Sequence, residues 1–450
     1  MMMSTSRISK QSALLLLTSA LSVGAAQWEP EGNKVLLGAW LNDGPGSSDY
    51  VLNLTQRLAP EIPPLSTILL GQAIPIPPYI ASNDSGGGAR IVHVSDAKTT
   101  NQHVFLTVYP DHGLGADVVT DADLETLGNQ LADYEKTYGY KTFLRWAPEM
   151  QGIWNPGWGL MPTQYITTWR RMYTTIKRLS PNTAIIWSPN VGYGYPSGGV
   201  LPSNAADARL LDTDGDNRLT INDDPYGPYY PGDEWTDWNG ISIYFKGVGF
   251  QNRNEPQIGG YCSDLLHGRD PYYGSAGRTI HDFYQVYCAN KPNKACAFSE
   301  SGAVFHKDLP TSPAPLTDQL GMQRAWWRDC ITNTTFLDAH PRLKMINLFE
   351  WEKVENDGGV RDDRDFRITN NTAVLAAFKA DLAKVQDRFV WASLGGSNVT
   401  NTSGGSTRPN AAAQPQGTTT GEAALRLGSG KAFSTVVGMI LVAVALVSIS

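Results

Sequence analysis

Two glutamates at the ends of short apolar runs carry the chemistry this chain offers. Glu149 lies in Phe143-Leu-Arg-Trp-Ala-Pro-Glu-Met-Gln-Gly-Ile-Trp154, with Arg145, Trp146, Trp154 and Trp158 around it. Glu300 lies in Phe298-Ser-Glu-Ser-Gly302. Two carboxylates that face each other across a sugar can cleave a glycosidic bond. At a separation of about 5–5.5 Å one attacks the anomeric carbon while the other protonates the leaving oxygen. The 150 residues between them say nothing about distance, so the elements that present them decide the matter.

Eight short apolar runs read as buried strands: Val35–Leu41, Thr67–Ala73, Val104–Tyr109, Thr142–Trp146, Ala184–Ser188, Trp238–Phe245, Cys296–Ser299 and Lys344–Trp351. Helical spacing appears at Asp121–Tyr138, Thr163–Leu179, Thr279–Tyr287, Leu316–Thr332 and Leu375–Phe389. Strands alternating with amphipathic helices imply a parallel sheet covered on both faces, and eight of them predict an α/β fold, a closed (β/α)8 barrel over residues 27–392. The working face of such a barrel is at the strands' C-terminal ends. Those ends carry Trp40 and Asp43, Gln72, Tyr109, Glu149, Asn190, Tyr244, Glu300, and then Glu350, Trp351 and Glu352. Ends four and seven lie across the mouth from each other, which would set Glu149 opposite Glu300. Glu350 and Glu352 are expected to pair with loop arginines such as Arg361 or Arg364.

On these residues the chain resembles glycoside hydrolase family 26. The Glu149 segment resembles that family's acid/base motif. Tyr229-Tyr-Pro-Gly-Asp-Glu-Trp-Thr-Asp-Trp-Asn-Gly-Ile-Ser-Ile-Tyr244 is similar to its sixth-strand signature, and Phe298–Gly302 to its nucleophile segment, in family order. The resemblance implies a retaining β-glycosidase, with Glu149 as acid/base, Glu300 as nucleophile, and Tyr244 and Arg145 holding Glu300. Trp154, Trp158 and Trp351 would offer faces to sugar rings, and Asn190 would bind substrate at the fifth strand's end. Burial among aromatics and charge on Glu300 would keep Glu149 protonated. Many family members carry His directly before the acid; this chain has Pro148, and Gln151 stands where Asn is usual. Endo-β-1,4-mannan is the leading substrate. Other β-glucans, transfer between wall polysaccharides, and glycan binding without catalysis stay open.

A second motif lies between the fifth and sixth strands. Asp212-Thr-Asp-Gly-Asp-Asn-Arg-Leu-Thr-Ile-Asn-Asp223 matches a twelve-residue calcium loop. Asp212, Asp214 and Asp216 would supply side-chain oxygens, Arg218 its carbonyl, Thr220 the ninth position, and Asp223 the closing carboxylate. Asn217 replaces the usual Gly, and Asn tolerates the left-handed turn needed there. The ion would be structural; no cofactor is expected for catalysis.

The composition points away from nucleic acid, since the net charge is −7 and no Lys/Arg run occurs. Residues 1–26 read as a secretory signal, with Arg7 and Lys10 before an apolar stretch and cleavage before Gln27 or one residue earlier. Residues 393–431 form a Ser/Thr/Gly-rich linker. The uncharged apolar tail at 432–450 has no basic anchor after it, so together they match a glycolipid anchor signal with attachment near Gly421 to Ala424. The expectation is a monomer at the cell surface, tethered to the outer membrane leaflet and acting on polysaccharide. Cys262, Cys288, Cys296 and Cys330 would form two disulfides in any of three pairings. Sequons at Asn53, Asn83, Asn333, Asn370, Asn398 and Asn401 fit the same setting.

Overall fold

The structure, a computed structural model, describes residues 24–42, 50–76, 99–248, 253–357 and 360–395. Eight parallel strands form a closed barrel: β1 (Val35–Leu41), β2 (Thr67–Ala73), β3 (His103–Tyr109), β4 (Lys141–Trp146), β5 (Ala184–Trp187), β6 (Trp238–Phe245), β7 (Ala295–Ala303) and β8 (Leu343–Glu350). Each pairs with the next, and β8 pairs back onto β1 from Leu36↔Met345 to Leu41↔Glu350. This is the expected (β/α)8 architecture. The leader through residue 23, Asp43, the sequons Asn83, Asn398 and Asn401, and the chain from 396 onward lie outside the described residues. Among the described residues no helix is long and apolar enough to cross a membrane.

Strand periodicity sorts side chains into two cores. Leu37, Leu70, Leu106, Leu144, Trp187, Ile243 and Ile346 point outward to the helices. Leu36, Leu69, Phe105, Phe143, Ile186, Trp238 and Met345 fill the barrel itself. There Phe143 lies 6.2 Å from Phe105 and edge-on to Trp238 at 5.1 Å, a solid aromatic floor below the mouth. Ala26 and Trp28 pack into the same cluster, and Trp238 donates its indole N–H to the Gln27 carbonyl at 2.7 Å. The segment before β1 therefore closes the barrel's lower end.

Helices α1 (Val51–Leu58), α2 (Asp121–Tyr138), α3 (Pro162–Leu179), α4 (Ala205–Leu211), α5 (Tyr261–Leu266), α6 (Gln319–Cys330), α7 (Thr334–Ala339) and α8 (Thr372–Leu382) run among and between the strands. Thr120 and Asp123 cap the start of α2 reciprocally, and Gly139 ends it in the left-handed region at φ 70°. Pro162 opens α3, whose buried Tyr165, Trp169, Met172 and Ile176 recur at helical spacing.

Several expectations change. The helix anticipated over Thr279–Tyr287 is a single π-turn, Gln285–Ala289, and α5 supplies the helix in that connection instead. α1, α4 and α7 were not anticipated, and the closing helix stops at Leu382 before a 3₁₀ segment. β7 runs on to Ala303, so Glu300 sits within a strand rather than in the loop after it. The disulfides are Cys262–Cys330, tying α5 to α6, and Cys288–Cys296, tying the π-turn to β7.

Candidate active site

The mouth is organised on Arg145. Along β4, Phe143 and Arg145 face the barrel interior while Leu144 and Trp146 face the helices. The Arg145 side chain is fully buried, and its fork is spent on named partners. Nε donates to Ser188 Oγ at 3.0 Å and Nη2 to Ser242 Oγ at 2.7 Å, while Nη1 bonds Glu300 Oε1. Nη2 also lies 3.9 Å from Glu149 Oε1. One buried cation thus meets both glutamates, as burying charge requires.

Glu300 reaches Arg145 through an irregularity. Ala295 and Ala297 face inward, and Cys296 and Phe298 outward against the helix layer. Plain alternation would send residue 300 outward with Phe298. The register slips between Ile241↔Phe298 and Ser242↔Glu300, a bulge on β7 that turns Glu300 to the interior. There Tyr244 donates its hydroxyl to Glu300 Oε2 at 2.9 Å. Burial raises the Tyr244 phenol well above its ordinary range, with Glu300 adding to the rise, so it stays a donor.

Glu149 is held by its own backbone. Its φ is +55°, in the left-handed region that non-glycine residues seldom enter. Its N–H donates to the Ser188 carbonyl at 2.9 Å, and its carbonyl accepts from Gly152 N at 2.9 Å and Asn155 Nδ2 at 3.0 Å. This strain is over-determined by its surroundings, as at many functional sites. The carboxylate accepts the Trp154 indole N–H at 2.7 Å. Burial, and next the charge of Glu300, push the Glu149 carboxyl above the usual carboxylate range, with Arg145 opposing. The two acids differ in setting: one accepts an indole N–H and has its carboxyl pushed up by burial, the other is gripped by a cation and a phenol.

The remaining mouth residues divide. Trp40 stacks near Tyr109 at 6.3 Å and meets Trp351 edge-on at 6.0 Å, and Trp351 stacks on Phe349 at 5.7 Å. Gly71 leaves room for this cluster: a Cβ there would stand 2.9 Å from the Trp40 ring. Trp158 does not offer a face. It is 3% exposed, packs toward Tyr109 and donates its indole N–H to the Pro148 carbonyl at 2.7 Å, bracing the acid's loop from below. Asn190 is half-buried, and Gln151 clasps its backbone, accepting from Asn190 N at 3.2 Å and donating to its carbonyl at 2.6 Å. Gln72 faces outward and bonds Gln130 of α2.

Glu350 is also turned outward, where its carboxylate accepts from Ile368 N, Thr369 N and Thr369 Oγ1. Glu352 does pair with a loop arginine, though it is Arg367 rather than Arg361 or Arg364. It also pairs with Lys307, while Arg364 pairs with Asp362 and Glu355.

Sequence reasoning missed Ser188 and Ser242, and it named Gln151 without a role. Ser242 was legible, because alternation along β6 places it on the same face as Tyr244. Ser188 was legible in the same way, two residues beyond inward-facing Ile186, whereas the role of Gln151 depends on where its loop meets Asn190.

In the acidic loop Asp212, Asp214 and Asp216 bring carboxylate oxygens within 4.8 Å of one another. Asn217 takes the left-handed turn at φ 61°. Asp223 does not join the group. It is buried, and its oxygens accept from Thr213 N, Asp214 N and Thr220 N at 2.7, 3.3 and 2.7 Å, so it fastens the loop instead of closing a ligand ring. Arg218 and Thr220 follow in the loop, where Arg218 N donates to Asp216 Oδ1. A buried oxygen of Asp212, Oδ1, has no hydrogen-bond partner among the described residues, and three hard carboxylate donors suit a calcium-type cation better than a soft metal.

No family model matches the chain, and no curated protein matches it. Among solved structures it aligns with a mannanase of Bacillus subtilis (13% identity, 83% of this chain and 90% of that chain, TM-score 0.43). A β-(1,4)-mannanase of Podospora anserina aligns at 13% identity over 80% of this chain and 62% of that one, TM-score 0.41. A family 39 glycoside hydrolase of Bacteroides cellulosilyticus aligns at 14% identity over 79% and 64%, TM-score 0.43. The barrel assignment rests on the strand pairing of this chain itself.

Proposed function

We propose that the protein is a retaining β-glycosidase that hydrolyses a β-linked polysaccharide, with endo-β-1,4-mannan as the leading substrate. The observation that carries this reading is the single buried guanidinium of Arg145 shared by two carboxylates of unlike setting. In the first step Glu300 attacks the anomeric carbon while Glu149 gives its proton to the leaving glycosidic oxygen. In the second, Glu149 takes a proton from water as that water attacks the same carbon, and the bond to Glu300 breaks. Trp154 orients Glu149, Tyr244 and Arg145 orient Glu300, and Trp40 with Trp351 offers apolar faces to the sugar. Pro148 donates no hydrogen bond; in this structure its carbonyl is an anchor for Trp158 and Asn155.

In the same reading the leader and tail make the protein secreted and tethered to the cell surface by a glycolipid, and Asp212, Asp214 and Asp216 hold a structural calcium ion. The deciding experiment is a polysaccharide panel (mannan, glucomannan, mixed-linkage and β-1,4-glucans) with the Glu300→Ala variant as control. Cleavage of none of them by the parent protein, or equal cleavage by the variant, sinks the assignment. Lengthened oligosaccharide products would instead mark transfer to a sugar acceptor.

A further inference from the structure

The donors named so far around the two glutamates are already committed. Arg145 spends its fork on Ser188, Ser242 and Glu300, and Tyr244 gives its hydroxyl to Glu300. The indoles of Trp154 and Trp158 serve Glu149 and the Pro148 carbonyl. Tyr109, at the end of β3, differs. Its phenol makes no hydrogen bond among the described residues. The residue is half-buried, and its oxygen is not one of the buried atoms left without a partner, so it stands within reach of solvent at the mouth.

The position of that phenol is fixed by its surroundings. Alternation along β3 from inward-facing Phe105 turns Tyr109 to the interior. The Tyr109 carbonyl accepts from Ile74 N at 2.9 Å. Its ring stacks on Trp40 at 6.3 Å and meets Trp158 at 6.1 Å. In the ring of eight strands β3 lies four places from β7, directly across from the strand of Glu300, and beside β4, which leads to Glu149. Both carboxylates weigh on the phenol. Burial, and next the charge of Glu300, raise it well above its ordinary range, with Glu149 adding to the rise and Arg145 opposing. Tyr109 is therefore a neutral donor throughout the range in which the two acids work.

We infer that the Tyr109 hydroxyl contacts the sugar at the point of cleavage, through the hydroxyl on that sugar's C2. The inference deepens the glycosidase reading and rests on it. A group close to both acids is close to the anomeric carbon, which is flanked by the ring oxygen and by C2. The ring oxygen gains positive charge in an oxocarbenium-like transition state, so a donor aimed at it would oppose the reaction. A hydrogen bond to the C2 hydroxyl strengthens there instead. Pro148, directly before the acid, has no N–H to give that hydroxyl, and the Arg145 fork is spent. The phenol supplies the donor that both lack. Mannose and glucose differ at C2, so Tyr109 bears on the choice between mannan and glucan.

The test is Tyr109→Phe, which keeps the ring on Trp40 and Trp158 and removes a hydroxyl with no protein partner, so the melting temperature should match the parent's. On β-1,4-mannan kcat should fall roughly ten- to hundredfold, with KM changed less. An aryl β-mannobioside should lose rate to the same degree. Its analogue lacking the C2 hydroxyl on the unit that bears the aryl group should react equally with parent and variant. Parental kcat/KM on mannan in Tyr109→Phe overturns the contact and leaves the glycosidase reading standing. So does an equal loss on the deoxy analogue, which would place the effect of the phenol elsewhere. If the parent cleaves none of these substrates, calorimetric binding of β-1,4-mannohexaose to the full chain decides. Binding weakened roughly three- to tenfold by Tyr109→Phe keeps the contact and rejects hydrolysis. Equal binding, or none by the parent, overturns the contact.

Discussion

Two groups of acids in this molecule bring like charges together in opposite ways. At the mouth, Glu149 and Glu300 share a buried guanidinium and are 16% and 12% exposed. In the acidic loop, Asp212, Asp214 and Asp216 converge nearer the surface and accept from backbone N–H groups of Asn217, Asp216 and Arg218. A guanidinium is a full charge in a fixed direction. It grips one acid and reaches the other only at 3.9 Å, so the two glutamates need not behave alike. Backbone donors carry partial charge and leave most of the loop's negative charge for a cation from solution. Asymmetry suits a reaction with two distinct roles; near-equivalence suits a bound ion.

Several perturbations bear on that contrast. Glu300→Ala should lower kcat by roughly 10⁴-fold or more, the scale of losing a covalent nucleophile; loss under tenfold would mean that the acids do not divide the work as described. Glu149→Ala should cost about 10²–10⁴-fold on polysaccharide and much less on a substrate with an activated leaving group, where a general acid contributes little. Its pH profile gives the sign. In the proposed role Glu149 acts protonated and burial raises its pKa, so this group's contribution to activity is present below that raised value and is lost as pH climbs through it. Glu149→Gln should abolish the dependence on that group, and a persisting alkaline limb would assign it elsewhere.

Arg145→Met removes the shared cation and should destabilise the fold by about 3–5 kcal/mol through the charge left buried, read by chemical denaturation. Unchanged stability would mean that the mouth holds its acids without it. Tyr244→Phe deletes one hydrogen bond to a charged group, about 1.5–3 kcal/mol, so a ten- to hundredfold drop in kcat is expected with little change in melting temperature. The smallest effect belongs to the loop. EGTA should lower the melting temperature by a few degrees, roughly 1–2 kcal/mol of lost binding linkage. An identical curve, with no metal found by elemental analysis, excludes the ion.

The barrel was legible because its evidence is local. Each strand is a short apolar run broken by polar or turn residues, and α2 and α3 show helical spacing with end signals at Thr120, Gly139 and Pro162. Glu149 and Glu300 were legible because each closes or follows a short apolar run, although Glu300 proved to lie inside its strand. Less local features were not. Trp158 and Trp154 sit four residues apart on one loop, yet one is buried as a brace and the other bonds the acid. Asp223 has the spacing of a ligand but is consumed by backbone donors.

By itself the sequence determined the fold class, the order of the elements and the two acids, since apolar periodicity and residue type act over a few neighbours. Tertiary structure decided how those acids are used. Periodicity alone sends Glu300 to the outer face with Phe298; only the slipped register of β7 against β6 turns it inward to Arg145 and Tyr244. The positive φ of Glu149 likewise depends on Ser188 from the next strand and Asn155 from its own loop. A bulge and a strained turn draw their stability from contacts far apart in the chain, and strand periodicity carries no record of those contacts.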